Sequence, residues 1–150
     1  LNGEVFDTTI PVVKSSRGGL ATLHSEGQLV IYPVLNLKSL NLGVKDYVCL
    51  LLKASQDMLQ QLDISATIDE SAVGLYTANG KIAFCGIKVE KGITQHGISL
   101  NVRNDLNLFD SMRSCGVENQ LMDQLHNYGI DLSLKELFSI WVTCFKNRLT

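Results

Sequence analysis

The sequence predicts an α+β fold in one domain, a mixed and mainly antiparallel sheet with helices packed against it. Two segments, one in the first half and one at the C-terminus, repeat apolar residues at three- and four-residue spacing, the mark of helices with one buried face. Between them lie short β-rich runs separated by glycine. The chain has 150 residues, and a chain of this size buries roughly two-thirds of the surface its unfolded form exposes. One core, over residues 1–150, is expected.

The first strand is expected in QLVIYPVL, residues 28–35. After Gly43, the stripe Val44, Val48, Leu51, Leu52, Ser55, Met58, Leu59 and Leu62 predicts a core-packing helix. GLYTA, KIAFCGIKV and GISLNV then read as strands. Asn79-Gly80 between the first two signals a type I′ hairpin turn, which needs positive φ at both central residues. Strict alternation from that turn puts Lys81, Ala83, Cys85 and Ile87 on one face, and Ile82, Phe84 and Lys88 on the other. RNDLNLFDSM reads as loop, and a short helix is expected to end near Gly129. Leu134, Leu137, Phe138, Trp141 and Phe145 predict a last helix from Leu134 to about Arg148, with Ser133 and Glu136 as a capping box. Pro11 and Pro33 fall at expected strand edges or ends.

Composition narrows the function. No run approaches the roughly 20 apolar residues of a membrane span. The start, LNGEVFDTTIPVV, lacks the basic, apolar and small-residue regions of a secretory signal, so a cytoplasmic, reducing location is expected. A net charge of −2 offers no basic footprint for nucleic acid. Cys49, Cys85, Cys115 and Cys144 are far apart, and the three histidines, His24, His96 and His126, show no ligand spacing, so no metal is expected.

Three segments stand out chemically. Residues 17–24, Arg17-Gly18-Gly19-Leu20-Ala21-Thr22-Leu23-His24, join a guanidinium, a flexible glycine pair and two polar residues expected on one strand face. Taken alone, Gly18-Gly19 is equally a hairpin turn and His24 a satisfied surface residue. A second Thr-x-His, Thr94-Gln95-His96, is followed by Gly97-Ile98-Ser99, and two such departures from apolar strand pattern suggest one shared site. Cys115 lies in Arg113-Ser114-Cys115-Gly116, in a loop ahead of a short helix, where a lowered thiol pKa makes a nucleophile. Single cysteines are more often structural, and Cys49, Cys85 and Cys144 read as core or near-core.

Together, RGGLATLHSEGQLVIYPVLNL, GKIAFCGIKVEKGITQHGISLNVRNDL and SCG resemble the lipoyl(octanoyl) transferases, which share the lipoate- and biotin-ligase catalytic fold. The three segments occur in that family's order and spacing over about residues 2–125. The resemblance implies Cys115 as the acyl-thioester nucleophile and Lys81 as the lysine that activates it. It implies a substrate pocket from Arg17, Gly18, Gly19, Leu20, Ala21, Thr22, Leu23 and His24, from Phe84, Cys85 and Gly86, and from Gly97, Ile98 and Ser99. Octanoyl-acyl carrier protein is the implied donor. Lipoyl domains of 2-oxoacid dehydrogenases and the glycine cleavage H protein are the implied acceptors, with no cofactor. Backbone N–H groups near Gly86 or Gly116 are oxyanion-hole candidates. Lys88, Lys91, Arg103 and Arg113 are candidate contacts for an acidic carrier.

This chain reads His24-Ser25-Glu26-Gly27-Gln28 where the family has His-Gly-Pro-Gly-Gln, and Ser114 stands where proline precedes the nucleophile. A front strand-and-helix segment of the family is also missing, which implies a fragment or a naturally shortened relative. Two rivals remain: an ATP-dependent lipoate or biotin ligase, and a non-catalytic acyl- or carrier-binding module.

Overall fold

The computed structural model describes residues 9–19, 21–69, 72–112 and 120–150. Five strands form one antiparallel sheet: β1 (Gln28–Ile31), β2 (Thr67–Asp69), β3 (Gly74–Tyr76), β4 (Lys81–Glu90) and β5 (Ile93–Asn101). Their order across the sheet is β1-β5-β4-β3-β2. Helix α1 (Val44–Gln61) enters between β1 and β2, and α2 (Leu134–Leu149) closes the chain. Short 3₁₀ turns occupy Leu106–Ser111, within the segment read as loop, and Leu125–Tyr128, which ends at Gly129 as expected.

Both helices pack on one face of the sheet. Leu29, Ile31, Leu75, Ile82, Ala83, Ile98 and Leu100 from the strands meet Leu51, Met58 and Leu59 of α1 and Leu137, Trp141 and Phe145 of α2 in one core. Ser55 sits in the α1 stripe because its hydroxyl has two uses there. It accepts the Trp141 indole N–H at 2.7 Å and donates to the Leu51 carbonyl at 2.9 Å. The predicted capping box forms: Ser133 Oγ accepts from Glu136 N–H, and the Glu136 carboxylate accepts from Ser133 N–H at 2.8 Å. Val44, Leu134 and Phe138, counted in the apolar stripes, are exposed instead. Cys49 is exposed too, whereas Cys144 is buried as read. One α1 turn therefore carries Cys49 on the face opposite Leu51.

The opposite face of the sheet carries a smaller cluster, Leu23, Phe84, Phe109 and Met112. Two sequence expectations fail near it. The Asn79-Gly80 turn is not type I′, because Asn79 lacks positive φ; only Gly80, at φ 148°, is positive. Thr77 N–H donates to the Gly80 carbonyl, and a Cβ on Gly80 would meet the Leu121 carbonyl oxygen at 2.5 Å. Gly80 is required twice over, by its own positive φ and by the crossing segment at residues 121–122. The tight turn with positive φ at both residues is Lys91-Gly92, between β4 and β5.

The second failure concerns Lys81. Tyr76 pairs with Lys81 and Leu75 with Ala83, so Ile82 is an extra residue and the register shifts there. A bulge of this kind turns the residue before it to the other side. Lys81 consequently lies on the Phe84 face, not with Ala83 and Cys85.

Candidate functional site

Lys81 is fully buried at the start of β4. Its backbone is held from outside the sheet: its N–H donates to the Leu121 carbonyl at 2.8 Å, and its carbonyl accepts from Asp123 N–H at 2.9 Å. The Lys81 Nζ donates to the Ala72 carbonyl at 2.8 Å and sits 5.0 Å from the Phe84 ring centroid and 5.2 Å from that of Tyr76. Two aromatic faces and a carbonyl offset part of the cost of taking an ammonium out of water. Space for the side chain comes from Gly74, where a Cβ would lie 2.5 Å from Lys81 Cε and 2.5 Å from the Ala83 carbonyl oxygen.

Beside this lysine opens a mainly apolar cleft of about 390 Å³, within the roughly 300–1,000 Å³ usual for small-molecule sites. Its walls join the three stretches of the substrate pocket implied by the resemblance, through Arg17, Gly18, Gly19, Thr22 and His24; Phe84, Cys85 and Gly86; and Gly97, Ile98 and Ser99. Tyr32, Val48, Ala72, Val73, Ile87 and His96 complete them. Of these, only His96 carried a signal in the sequence, through its Thr-x-His repeat. Leu23 instead packs into the Phe84 cluster, and Ala21 packs against it without lining the cleft. Leu20 lies outside the described residues. Residues 21–25 are not strand, so Thr22 and His24 share the cleft through loop geometry and not through strand alternation.

The first wall is fastened to β4: Gly18 N–H donates to the Ile87 carbonyl at 2.9 Å. The Thr22 hydroxyl is buried with no hydrogen-bond partner among the described residues. His96 holds a φ of 58° within β5 and meets Tyr32 edge-on at 5.5 Å between centroids. Non-glycine residues in this region are uncommon and concentrate at functional sites.

Electrostatics separate the groups. Burial pushes the Cys85 thiol up to about 12, with the Lys81 charge opposing, so Cys85 lines the cleft as an apolar thiol and not as a nucleophile. Burial also lowers the His24 pKa; the bond to Gln28 opposes this, while the charges of Arg17 and His96 add to it. His24 is therefore a neutral imidazole at physiological pH.

Cys115, with Arg113, Ser114 and Gly116, lies outside the described residues. The described residues flanking residues 113–119 both stand at the Lys81 end of the cleft. Met112 packs in the cluster with Phe84, and Gln120 Nε2 donates to the Tyr76 hydroxyl at 3.1 Å. Of the cations suggested for an acidic carrier, Lys88 pairs with Glu90 at 2.8 Å, and Arg103 donates to the Leu132 carbonyl at 2.8 Å. Gly86 sits inside β4 across from Gly97. Among the described residues no cluster of His, Cys, Asp or Glu could hold a metal ion, and no helix is long and apolar enough to cross a membrane.

A family profile described as the lipoyl protein ligase A/B catalytic domain matches residues 4–146. An octanoyltransferase of Chromobacterium violaceum is 40% identical over 127 residues, 85% of this chain and 61% of that protein. One of Xanthomonas euvesicatoria is 45% identical over 109 residues, 73% of this chain and 47% of that protein. One of Dichelobacter nodosus is 37% identical over 140 residues, 93% of this chain and 70% of that protein. The chain thus spans about half to two-thirds of the length of these curated relatives. Among solved structures, the Aquifex aeolicus biotin protein ligase in complex with biotin and ATP aligns with a TM-score of 0.66 at 19% identity, covering 85% of this chain and 52% of its own. The bipartite lipoate protein ligase of Thermoplasma acidophilum aligns at 0.67 with 16% identity, covering 89% of this chain and 56% of its own. At these identities the two structures share the fold.

Proposed function

This chain belongs to the lipoyl protein ligase A/B catalytic-domain family, and on that premise we propose that it is an octanoyltransferase of protein lipoylation. Octanoyl arrives as a thioester on acyl carrier protein. The Cys115 thiolate attacks its carbonyl carbon, and the carrier thiol leaves with a proton. The amine of a lysine on a lipoyl domain then attacks the Cys115 thioester, forming an amide and releasing the Cys115 thiol.

The observation that carries this reading is the placement of Lys81, an ammonium buried between Phe84 and Tyr76 at the end of an apolar cleft. A cation there favours a neighbouring thiolate, and in its neutral form it can take the proton of an attacking amine. The apolar walls suit an acyl chain, and the unpartnered Thr22 hydroxyl is a polar contact for the thioester end.

Intact-mass measurement after mixing with octanoyl-acyl carrier protein, without ATP, tests it. One octanoyl adduct is expected on the wild type and on Cys49→Ala, Cys85→Ala and Cys144→Ala, and none on Cys115→Ala. An adduct on Cys115→Ala, or product formation only with ATP, would overturn the mechanism, the latter in favour of a ligase.

A further inference from the structure

A buried row of amides runs from the cleft wall into the sheet, and its polarity can be read from backbone groups at both ends. Asn101 is fully buried, and its Nδ2 donates to the Asp123 backbone carbonyl at 3.0 Å, an atom that can only accept. Asn101 Oδ1 is thereby turned the other way, where it accepts from Gln28 Nε2 at 2.9 Å and from Asn104 Nδ2 at 3.2 Å. Gln28 is itself buried, at 6% exposure. With its amide nitrogen committed to Asn101, its Oε1 faces His24 Nδ1 at 3.2 Å. At the other end Ser25 N–H, which can only donate, points to the same Oε1 at 3.4 Å. Two independent backbone groups therefore agree that Gln28 presents an acceptor to His24.

A neutral imidazole facing an acceptor must place its proton on the facing nitrogen. We propose that Gln28 is a positioning residue that locks His24 in the Nδ1–H tautomer, so that Nε2 offers its lone pair to the N–H of the primary amine that enters the cleft as acyl acceptor. The role of the amine rests on the transferase reading above; the tautomer does not. Free histidine side chains in water favour the opposite tautomer, with the proton on Nε2, so the lock is a measurable departure. The charged and titratable groups facing His24 are Arg17 and His96, which both disfavour the imidazolium and keep that lone pair free.

The test uses the full chain with ¹⁵N-labelled histidine, read by long-range proton–nitrogen correlation above the His24 titration and assigned by the signal lost in His24→Gln. The wild type is expected to show a protonated Nδ1 and an unprotonated Nε2. Gln28→Leu should revert to the Nε2–H form, whereas Gln28→Glu, which keeps an acceptor oxygen, should retain Nδ1–H and titrate at higher pH. A wild-type Nε2–H tautomer, or one unchanged in Gln28→Leu, overturns the lock; the wild-type spectrum alone suffices if Gln28→Leu does not fold. In single turnover, Gln28→Leu should form the Cys115 adduct at the wild-type rate but pass it to a lipoyl-domain lysine about tenfold more slowly, the size of one lost hydrogen bond. Equal aminolysis rates despite a changed tautomer would overturn the amine role. Absence of any wild-type adduct would sink the transferase reading and with it the amine role, leaving the tautomer result standing.

Discussion

Gly74 and Lys81 act as one unit. The Lys81 side chain occupies the space a β-carbon at position 74 would need, and the other wall of that space is the Ala83 carbonyl, which is backbone and cannot swing aside. Gly74→Ala should therefore destabilise the protein by about 1–3 kcal/mol, the usual cost of overpacking, as read from urea midpoints. The same crowding speaks against a guanidinium at position 81. In Lys81→Met, which keeps the length and loses the charge, alkylation of Cys115 by iodoacetamide should shift to higher pH and single-turnover acyl transfer should slow. Lys81→Arg should also fail in transfer, because arginine does not deprotonate. Normal transfer and an unchanged alkylation profile in Lys81→Met would show that another group activates the cysteine.

The two helices are joined at element scale by Trp141 and Ser55, a buried indole N–H on a buried hydroxyl that is itself tied to the Leu51 carbonyl. Outside this contact their packing is apolar, apart from Gln61 Nε2 donating to Cys144 Sγ at 3.4 Å and the bidentate pair of Arg148 and Asp57 at the surface. Ser55→Ala leaves the indole donor unmatched inside the core and should cost about 1–3 kcal/mol. Adding Trp141→Phe removes the orphaned donor, so the second change should cost less in the Ser55→Ala background than in the wild type. Equal costs in both backgrounds would mean that the hydrogen bond contributes nothing to the joint. Sheet strands are joined differently: β4 is held on one side by β5 and, at its first residue, by the crossing segment at residues 121–123.

That crossing segment ties the molecule together through Asp123, which is fully buried. Burial pushes its carboxyl pKa up, but hydrogen bonds from Thr77, Tyr128, Asn127 and the Gln124 N–H outweigh burial and leave it below the usual value. Its folded value thus lies below its unfolded one. Such a group contributes its full stability above the unfolded value, about pH 4, and loses it as pH falls through the folded value. Urea unfolding of the wild type should therefore weaken on acidification below about pH 4. Asp123→Asn should be less stable at neutral pH and flatter across that acid range. Parallel acid limbs in the two proteins would assign the acid loss to other carboxylates. Because Lys81 N–H and C=O bond to Leu121 and Asp123 respectively, loosening this segment should also loosen the cleft.

Much of this was present in the sequence because it is local. Helix α1, predicted from Val44, ends one residue before the last stripe residue, and α2 begins at Leu134 behind its capping box, since periodicity and capping act over three or four residues. The chemical segments around Arg17, Phe84 and Gly97 were also legible, through glycines and polar residues that interrupt apolar strands. The Phe84 and Gly97 stretches meet because β4 pairs with β5, a hairpin closed by two residues, whereas the Arg17 stretch joins them through the long-range bond from Gly18 N–H to the Ile87 carbonyl. What the sequence could not contain is anything set by partners far along the chain. The Lys81 face depends on a register shift against β3, and alternation assumes no such shift. Gly80 is required by the Leu121 carbonyl as well as by its own positive φ, and only the second could be read from the turn. The His24 tautomer is set through Gln28 and Asn101 by a carbonyl at Asp123, and no spacing rule connects those positions. Residue identity and short-range pattern determined which elements form and which residues have chemistry to offer. Only tertiary structure decided which way those groups face, because orientation is fixed by backbone hydrogen bonds made between distant segments.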